Sequence, residues 1–158
     1  MVERFKVLTK RFVFSSKRYM PRSHSEGWVL TRMVWYPSVD DVIDMNIHAL
    51  DLSGDKHPHK MLGSASGIQA ILDNAKTKEN KGLTYQAAFL MKALVAAHIF
   101  AGANHRTAYG VAKMFLRRNG RRLKVNDFSA AYPFIIHIGT KTVKEIQEWI
   151  EHGTSEEP

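Results

Sequence analysis

The stretch Thr84-Tyr85-Gln86-Ala87-Ala88-Phe89-Leu90-Met91-Lys92-Ala93-Leu94-Val95-Ala96-Ala97-His98-Ile99-Phe100 is apolar almost all round, with polar atoms after Thr84 only on Tyr85, Gln86, Lys92 and His98. A helix without a solvated face is one enclosed by other elements, so this segment predicts the central helix of a mainly α fold. Upstream, the wholly polar run Lys76-Thr77-Lys78-Glu79-Asn80-Lys81-Gly82 separates it from a helix expected over Gly67 to Ala75, where Ile68, Ile71 and Leu72 recur at helical spacing. Leu52 to Gly63, with Gly54, Pro58 and two His, reads as a loop. Before it, Ser38 stands three residues ahead of Asp41 and is followed by Val39, Val42, Ile43 and Ile47, which predicts a capped helix of about a dozen residues after Pro37.

Downstream, Gly102-Ala103-Asn104 interrupts the apolar run, and helical spacing returns from Thr107 through Ala108, Val111, Ala112, Phe115 and Leu116 to a stop at Asn119-Gly120. Arg121 to Val125 reads as a short strand or extended piece. A last helix begins near Thr142, with Glu145 three residues on and Val143, Ile146, Trp149 and Ile150 on one face. The first 35 residues alternate β-branched or aromatic residues with basic ones, as in Phe5-Lys6-Val7-Leu8 and Trp28-Val29-Leu30-Thr31-Arg32, and predict a small antiparallel β element. The expected organisation is a basic β extension over 1–36, a compact helical domain over 37–152 and a frayed tail over 153–158.

The chain has 158 residues, 44% of them hydrophobic and 24% charged, and no cysteine. This suits one globular domain with a real core, and it excludes a disulfide framework, a cysteine zinc site, an iron–sulfur cluster and a thiol nucleophile. No apolar run approaches the roughly 20 residues that span a bilayer, so no membrane partner and a cytoplasmic location are expected. The net charge is +8 and unevenly spread. Residues 1–35 hold eight Lys/Arg against two acids, residues 113–124 hold six against none, and the remainder has nine against thirteen. Two basic blocks on a mildly acidic body point to a polyanionic partner or to well-solvated faces.

Chemistry concentrates at His98-Ile99-Phe100-Ala101-Gly102-Ala103-Asn104-His105-Arg106. A small-residue turn entering a helix presents free backbone N–H groups to an anion, and the helix dipole favours negative charge there. Arg106 would add a charge-assisted, bidentate contact to phosphate. An imidazole beside such a cradle can take the proton of an attacking hydroxyl. Phe100 is expected to point into the core and lock the loop. A histidine near a helix end is, on spacing alone, more often structural than catalytic.

At these residues the sequence resembles the Fic/Doc (Fido) family. Fic loops read H-x-F-x-[D/E]-G-N-G-R, and the death-on-curing (Doc) branch reads H-x-F-x-D-[A/G]-N-K-R-T-A before F-L-x-x-N-G. Here the corresponding residues are His98, Phe100, Gly102-Ala103-Asn104-His105-Arg106, Thr107-Ala108 and Phe115-Leu116-Arg117-Arg118-Asn119-Gly120. Ile47-His48-Ala49 and the helices around Gly67–Ala75 and Ala87–His98 follow in the family's order, so the resemblance covers about residues 37 to 125.

The resemblance implies a compact all-α core that binds ATP as substrate and transfers part of it to a Ser or Thr hydroxyl of a protein target. The death-on-curing branch acts as a kinase on a translation factor within toxin–antitoxin systems, and Fic members mostly perform AMPylation. Carried over by position, His98 is the general base, Asn104 and Arg106 contact phosphate, Gly102, Ala103, Asn104, His105 and Arg106 form the nucleotide-binding loop, and Phe100 anchors it. Arg106 is grouped with His98 as catalytic. Tyr109 stands where adenylylating members carry a second Arg, which favours phosphoryl transfer over AMP transfer.

Two positions depart from the pattern. Gly102 replaces the acid that helps hold Mg²⁺, so the expected metal ligand set is none and Mg²⁺ has weak support; His105 replaces Lys or Gly. A fully active transferase and a catalytically impaired nucleotide-binding relic therefore both fit. The inhibitory pattern [S/T]-x-x-x-E-[G/N] is missing, since Arg22 precedes Glu26-Gly27 and Ala75 precedes Glu79-Asn80, so restraint would come from a separate antitoxin. Two other readings compete. One is a nucleic-acid binder using the basic N-terminal segment with Lys113, Arg117, Arg118, Arg121, Arg122 and Lys124, and with Trp28, Trp35 and Tyr36 for stacking. The other is a metal hydrolase drawing on His48, His57, His59, His98 and His105.

Overall fold

The computed structural model describes residues 33–54 and 58–153. The chain divides into two units, Met1–Met33 and Val34–Pro158, and every element below belongs to the second. The expected N-terminal β element lies outside the described residues. The described residues form six α-helices and no strand, so the fold is mainly α.

Helix α1 (Val39–Ser53) starts where the capping box demands: the Asp41 N–H donates to Ser38 Oγ at 3.1 Å, and Asp41 Oδ2 accepts from the Ser38 N–H at 2.7 Å. It runs one turn further than hydropathy suggested and ends at Gly54 in the left-handed region (φ 63°). Helix α2 (Ala65–Lys76) is capped by Ser64, whose hydroxyl accepts from the Gly67 N–H, and buries Ile68, Leu72 and Ala75. The polar run that follows is largely exposed and contains a 3₁₀ turn at Glu79–Lys81.

Helix α3 (Leu83–Ala97) is the centre of the unit, packed against α2, α4 (Asn104–Arg118) and α6 (Val143–His152). Gln86, Ala87, Ala88, Leu90, Met91 and Leu94 are its buried residues. The buried Gln86 Nε2 donates to the Ala75 carbonyl (2.9 Å) and the Tyr36 hydroxyl (2.6 Å). Helices α1 and α4 meet closely at Gly110: a Cβ there would fall 2.4 Å from Met45 Sδ, so any side chain would displace Met45.

Two further boundaries differ from the expectation, and one helix was not foreseen. The central helix stops at Ala97, because His98 turns left-handed (φ 46°) and Ile99-Phe100 run extended. Helix α4 begins at Asn104, three residues before Thr107, because the Ala103 carbonyl already accepts the Thr107 N–H at 2.8 Å. An unforeseen helix, α5 (Phe128–Ile135), is capped by Asp127 and carries Pro133 inside it. Arg121 to Val125 forms no strand; it is irregular chain with a bend at Lys124–Val125, tied to α6 by the Lys124 N–H on the Ile150 carbonyl at 3.0 Å. The Thr142–Glu145 capping box of α6 forms as expected.

Candidate functional site

The turn between α3 and α4 is held on both sides. On its entry side, Met61 and Phe100 form an isolated antiparallel bridge: the Leu62 and Gly63 N–H groups both donate to the Ile99 carbonyl (2.7 and 3.0 Å), and the Ala101 N–H donates to the Lys60 carbonyl (2.9 Å). Phe100 is buried at 2% exposure, its ring 5.5 Å from that of His59. Asn104 closes the turn on itself. Its Oδ1 accepts from the Phe100 N–H (3.0 Å) and its Nδ2 donates to the Phe100 carbonyl (2.7 Å).

Beneath the turn lies Asn46, a fully buried polar residue of α1. Its Nδ2 donates to the Gly102 carbonyl (3.0 Å) and to Thr107 Oγ1 (2.9 Å), and its Oδ1 pairs with His59 Nδ1 (2.8 Å). With Nδ2 donating, Oδ1 can only accept, so His59 carries its proton on Nδ1. Thr107 in turn donates to the Ala103 carbonyl (2.8 Å).

This arrangement decides where the amides face. Across a trans peptide the C=O and the following N–H point in opposite directions. The Gly102 carbonyl is tied inward to Asn46, so the Ala103 N–H points outward. The Ala103 carbonyl is taken up along α4, so the Asn104 N–H points the other way. Among the described residues, no acceptor pairs with the backbone N–H of Gly102, Ala103, Asn104, His105 or Arg106. The only two non-glycine residues with positive φ among the described residues, His98 (46°) and Ala103 (58°), bracket this turn. Such backbone strain costs about 1 kcal/mol or more per residue and persists where the surroundings enforce it.

The turn faces an open cleft of about 380 Å³. The α3–α4 turn with the first turn of α4 forms one wall, including His98, Gly102, His105 and Arg106; Phe128 and Tyr132 of α5 form another. His98 is exposed, while His105 and Arg106 are half-buried. The guanidinium of Arg106 lies 4.7 Å over the Phe128 ring and donates through Nη1 to the Ala49 carbonyl (3.2 Å), which aims the group and leaves further N–H donors for a ligand. Among the described residues, no carboxylate lines the cleft.

Of the site residues read from the sequence, His98 and Gly102 to Arg106 line one hollow, and Phe100 lies buried behind the turn. Asn104 spends both side-chain polar atoms on Phe100, so it braces the turn, and the group it presents outward is its backbone N–H. Sequence reasoning missed Asn46, Phe128 and Tyr132, and it named His59 and Thr107 without their bonds to Asn46 beneath the turn. Tyr109 is buried at 4% exposure, donates to the Val125 carbonyl (3.0 Å) and packs its ring edge-on against Phe128. Burial, with a smaller effect from Asp127, pushes its pKa from 10.0 to about 12.

The residues invoked for other readings are placed differently. Tyr36 packs its ring 5.5 Å from Phe115 and shares its hydroxyl with Gln86, so it is no stacking platform; Trp35 has the Arg118 guanidinium 5.3 Å from its ring centre. Arg117, Arg121, Arg122 and Lys124 are exposed. Among the described residues, no three His, Asp or Glu side chains come together to hold a metal, and His57 lies outside the described residues. No helix among them is long and apolar enough to cross a membrane. No family model matches the chain, and no curated protein matches it.

Proposed function

We propose that the cleft at the α3–α4 turn holds the phosphates of a nucleoside triphosphate, and that the protein is a Fic/Doc-type transferase of the death-on-curing kind, moving a phosphoryl group to a Ser or Thr hydroxyl of a protein target such as a translation factor. The observation that carries this reading is the run of five backbone N–H groups without an acceptor among the described residues, Gly102 to Arg106, on residues that line the same hollow as the Arg106 guanidinium and the exposed His98. That is a phosphate cradle with a proton acceptor at its lip.

In the proposed step the target hydroxyl gives its proton to the His98 imidazole as its oxygen bonds to the terminal phosphorus. The bond from that phosphorus to the bridging oxygen breaks, and the nucleoside diphosphate leaves with the electron pair. Charge on the transferred group is met by the turn's amides and Arg106, the kind of fixed positioning on which phosphoryl transfer depends. Phe100 and Asn104 hold the turn, and Asn46 keeps the Gly102–Ala103 peptide turned outward. Tyr109 supplies no second cation, which favours transfer of the terminal phosphoryl group over transfer of AMP. The missing inhibitory motif assigns restraint to a separate antitoxin.

Mg²⁺, which the resemblance implies, does not fit the donors present. The position of its carboxylate ligand is Gly102, and the cleft offers imidazole, guanidinium, hydroxyl and amide groups where Mg²⁺ prefers carboxylate oxygen. The test is incubation of the protein and a cell lysate with ATP labelled at the γ or the α position, beside a His98→Asn variant that tolerates the left-handed backbone. Label from the γ position alone, lost in His98→Asn, is the expected result. Label from the α position would assign AMP transfer, and no transfer with nucleotide still bound would leave a binding protein without transferase activity.

A further inference from the structure

We infer that this cleft grips its polyphosphate without a divalent cation, the protein itself supplying the whole counter-charge. The inference rests on the phosphate reading above and concerns what neutralises the ligand there. A carboxylate beside a phosphate repels it unless a cation or a proton stands between the two, and among the described residues none lines this cleft: its charged and chargeable groups there are Arg106, His98 and His105. The substitution at the acidic position has a backbone consequence too. Gly102 has no positive φ, so its conformation does not require glycine, and the carbonyl it presents to Asn46 is available to any residue type. What glycine changes is the charge: at this point of the turn the negative group that the resemblance implies is missing, next to five amides without an internal acceptor and one oriented guanidinium.

Those groups suit an anion that arrives bare. A Mg²⁺-chelated polyphosphate presents part of its charge already neutralised and brings a hydration shell that needs oxygen ligands. A free polyphosphate presents all its oxygens to N–H donors, and each contact with Arg106 or a turn amide is charge-assisted. Mg²⁺ in solution therefore competes with the protein for the same oxygens, so chelation weakens binding or leaves it unchanged. Installing Asp at position 102 reverses the dependence, because the new carboxylate repels the bare phosphate and creates a place for the cation.

Isothermal titration of the protein with ATP, once in excess EDTA and once in excess Mg²⁺, tests this. Wild type binds at least as tightly in EDTA as in Mg²⁺. Gly102→Asp binds about tenfold more weakly than wild type in EDTA and regains affinity when Mg²⁺ is added. Arg106→Ala, checked for native helicity by circular dichroism, loses binding in both buffers. Wild-type binding that appears only with Mg²⁺ and is still lost in Arg106→Ala overturns the inference while keeping the phosphate site. Absence of wild-type binding in both buffers, or binding indifferent to Arg106→Ala, overturns the site and the inference together.

Discussion

The side-chain amide of Asn46 reaches across 56 residues of sequence to hold the carbonyl of Gly102 at 3.0 Å. One buried carboxamide thereby sets the orientation of the peptide whose N–H the cleft needs. Asn46 also engages Thr107 and His59, so three segments depend on it: the α3–α4 turn, the first turn of α4 and the loop after α1.

Replacing Asn46 with Leu leaves the Gly102 carbonyl and the His59 imidazole without their partner inside the fold. Unfolding by denaturant is expected to show a loss of about 2 to 4 kcal/mol, in the range for breaking a buried polar network. Binding of ATP should weaken further than the fraction of unfolded protein explains, because the Gly102–Ala103 peptide is free to turn over. A variant that loses stability but binds with wild-type affinity would show that Asn46 acts on folding alone.

Asn104 offers a cleaner separation of bracing from ligand contact. Asn104→Ala removes both bonds to Phe100 but keeps the backbone N–H. We expect a stability loss of about 1 to 3 kcal/mol and faster proteolytic cleavage within residues 98–103. If the side chain contacted phosphate directly, affinity would fall while the cleavage rate stayed unchanged.

Alkaline pH reads out the wall behind Arg106. Tyr109 has a folded-state pKa raised above its ordinary value, so the native state keeps the phenolic proton after the unfolded chain has lost it. Its contribution is complete below pH 10.0 and is lost as pH rises towards about 12. Tyr109→Phe gives up the bond to the Val125 carbonyl, at about 1 kcal/mol near neutrality, and flattens the fall in stability over that window. An unchanged alkaline slope, followed by chemical denaturation, would assign the transition to another group.

Arg106 separates charge from geometry. Lysine at this position keeps the positive charge but loses the fork that reaches Ala49 while stacking on Phe128. ATP affinity is expected to drop about tenfold in Arg106→Lys, short of the full loss in Arg106→Ala. Equal affinities for wild type and Arg106→Lys would reduce the residue's part to its charge.

Local signals were the legible ones. The Ser38–Asp41 and Thr142–Glu145 spacings located two helix starts because a capping box is complete within four residues, and the run from Ala87 to Ala97, polar only at Lys92, marked the central helix because so apolar a surface must pack against other elements on most sides. The turn was legible as a composition, His98 through Arg106, and the outward-facing amides follow from it only once the acceptors behind it are known. Those acceptors were hidden. Asn46 looks like any polar residue of an amphipathic helix, and its partners are 13, 56 and 61 positions away. Helix α5 was hidden by Pro133, which argues against helix in a short segment, and with it went the aromatic wall of Phe128 and Tyr132. What the Asn104 side chain does was not legible, because a carboxamide in an anion loop suits either a ligand contact or a bond to its own chain, and only the fold shows its four-residue reach back to Phe100.

The most direct measurement is the ¹H–¹⁵N correlation spectrum of the protein during titration with ATP. The largest shifts should fall on the amides of Gly102, Ala103, Asn104, His105 and Arg106, with the His98 ring signals moving in step, and they should vanish in Arg106→Ala. Shifts centred elsewhere, on the exposed arginines at the end of α4 for example, with these five amides unmoved, would contradict the account.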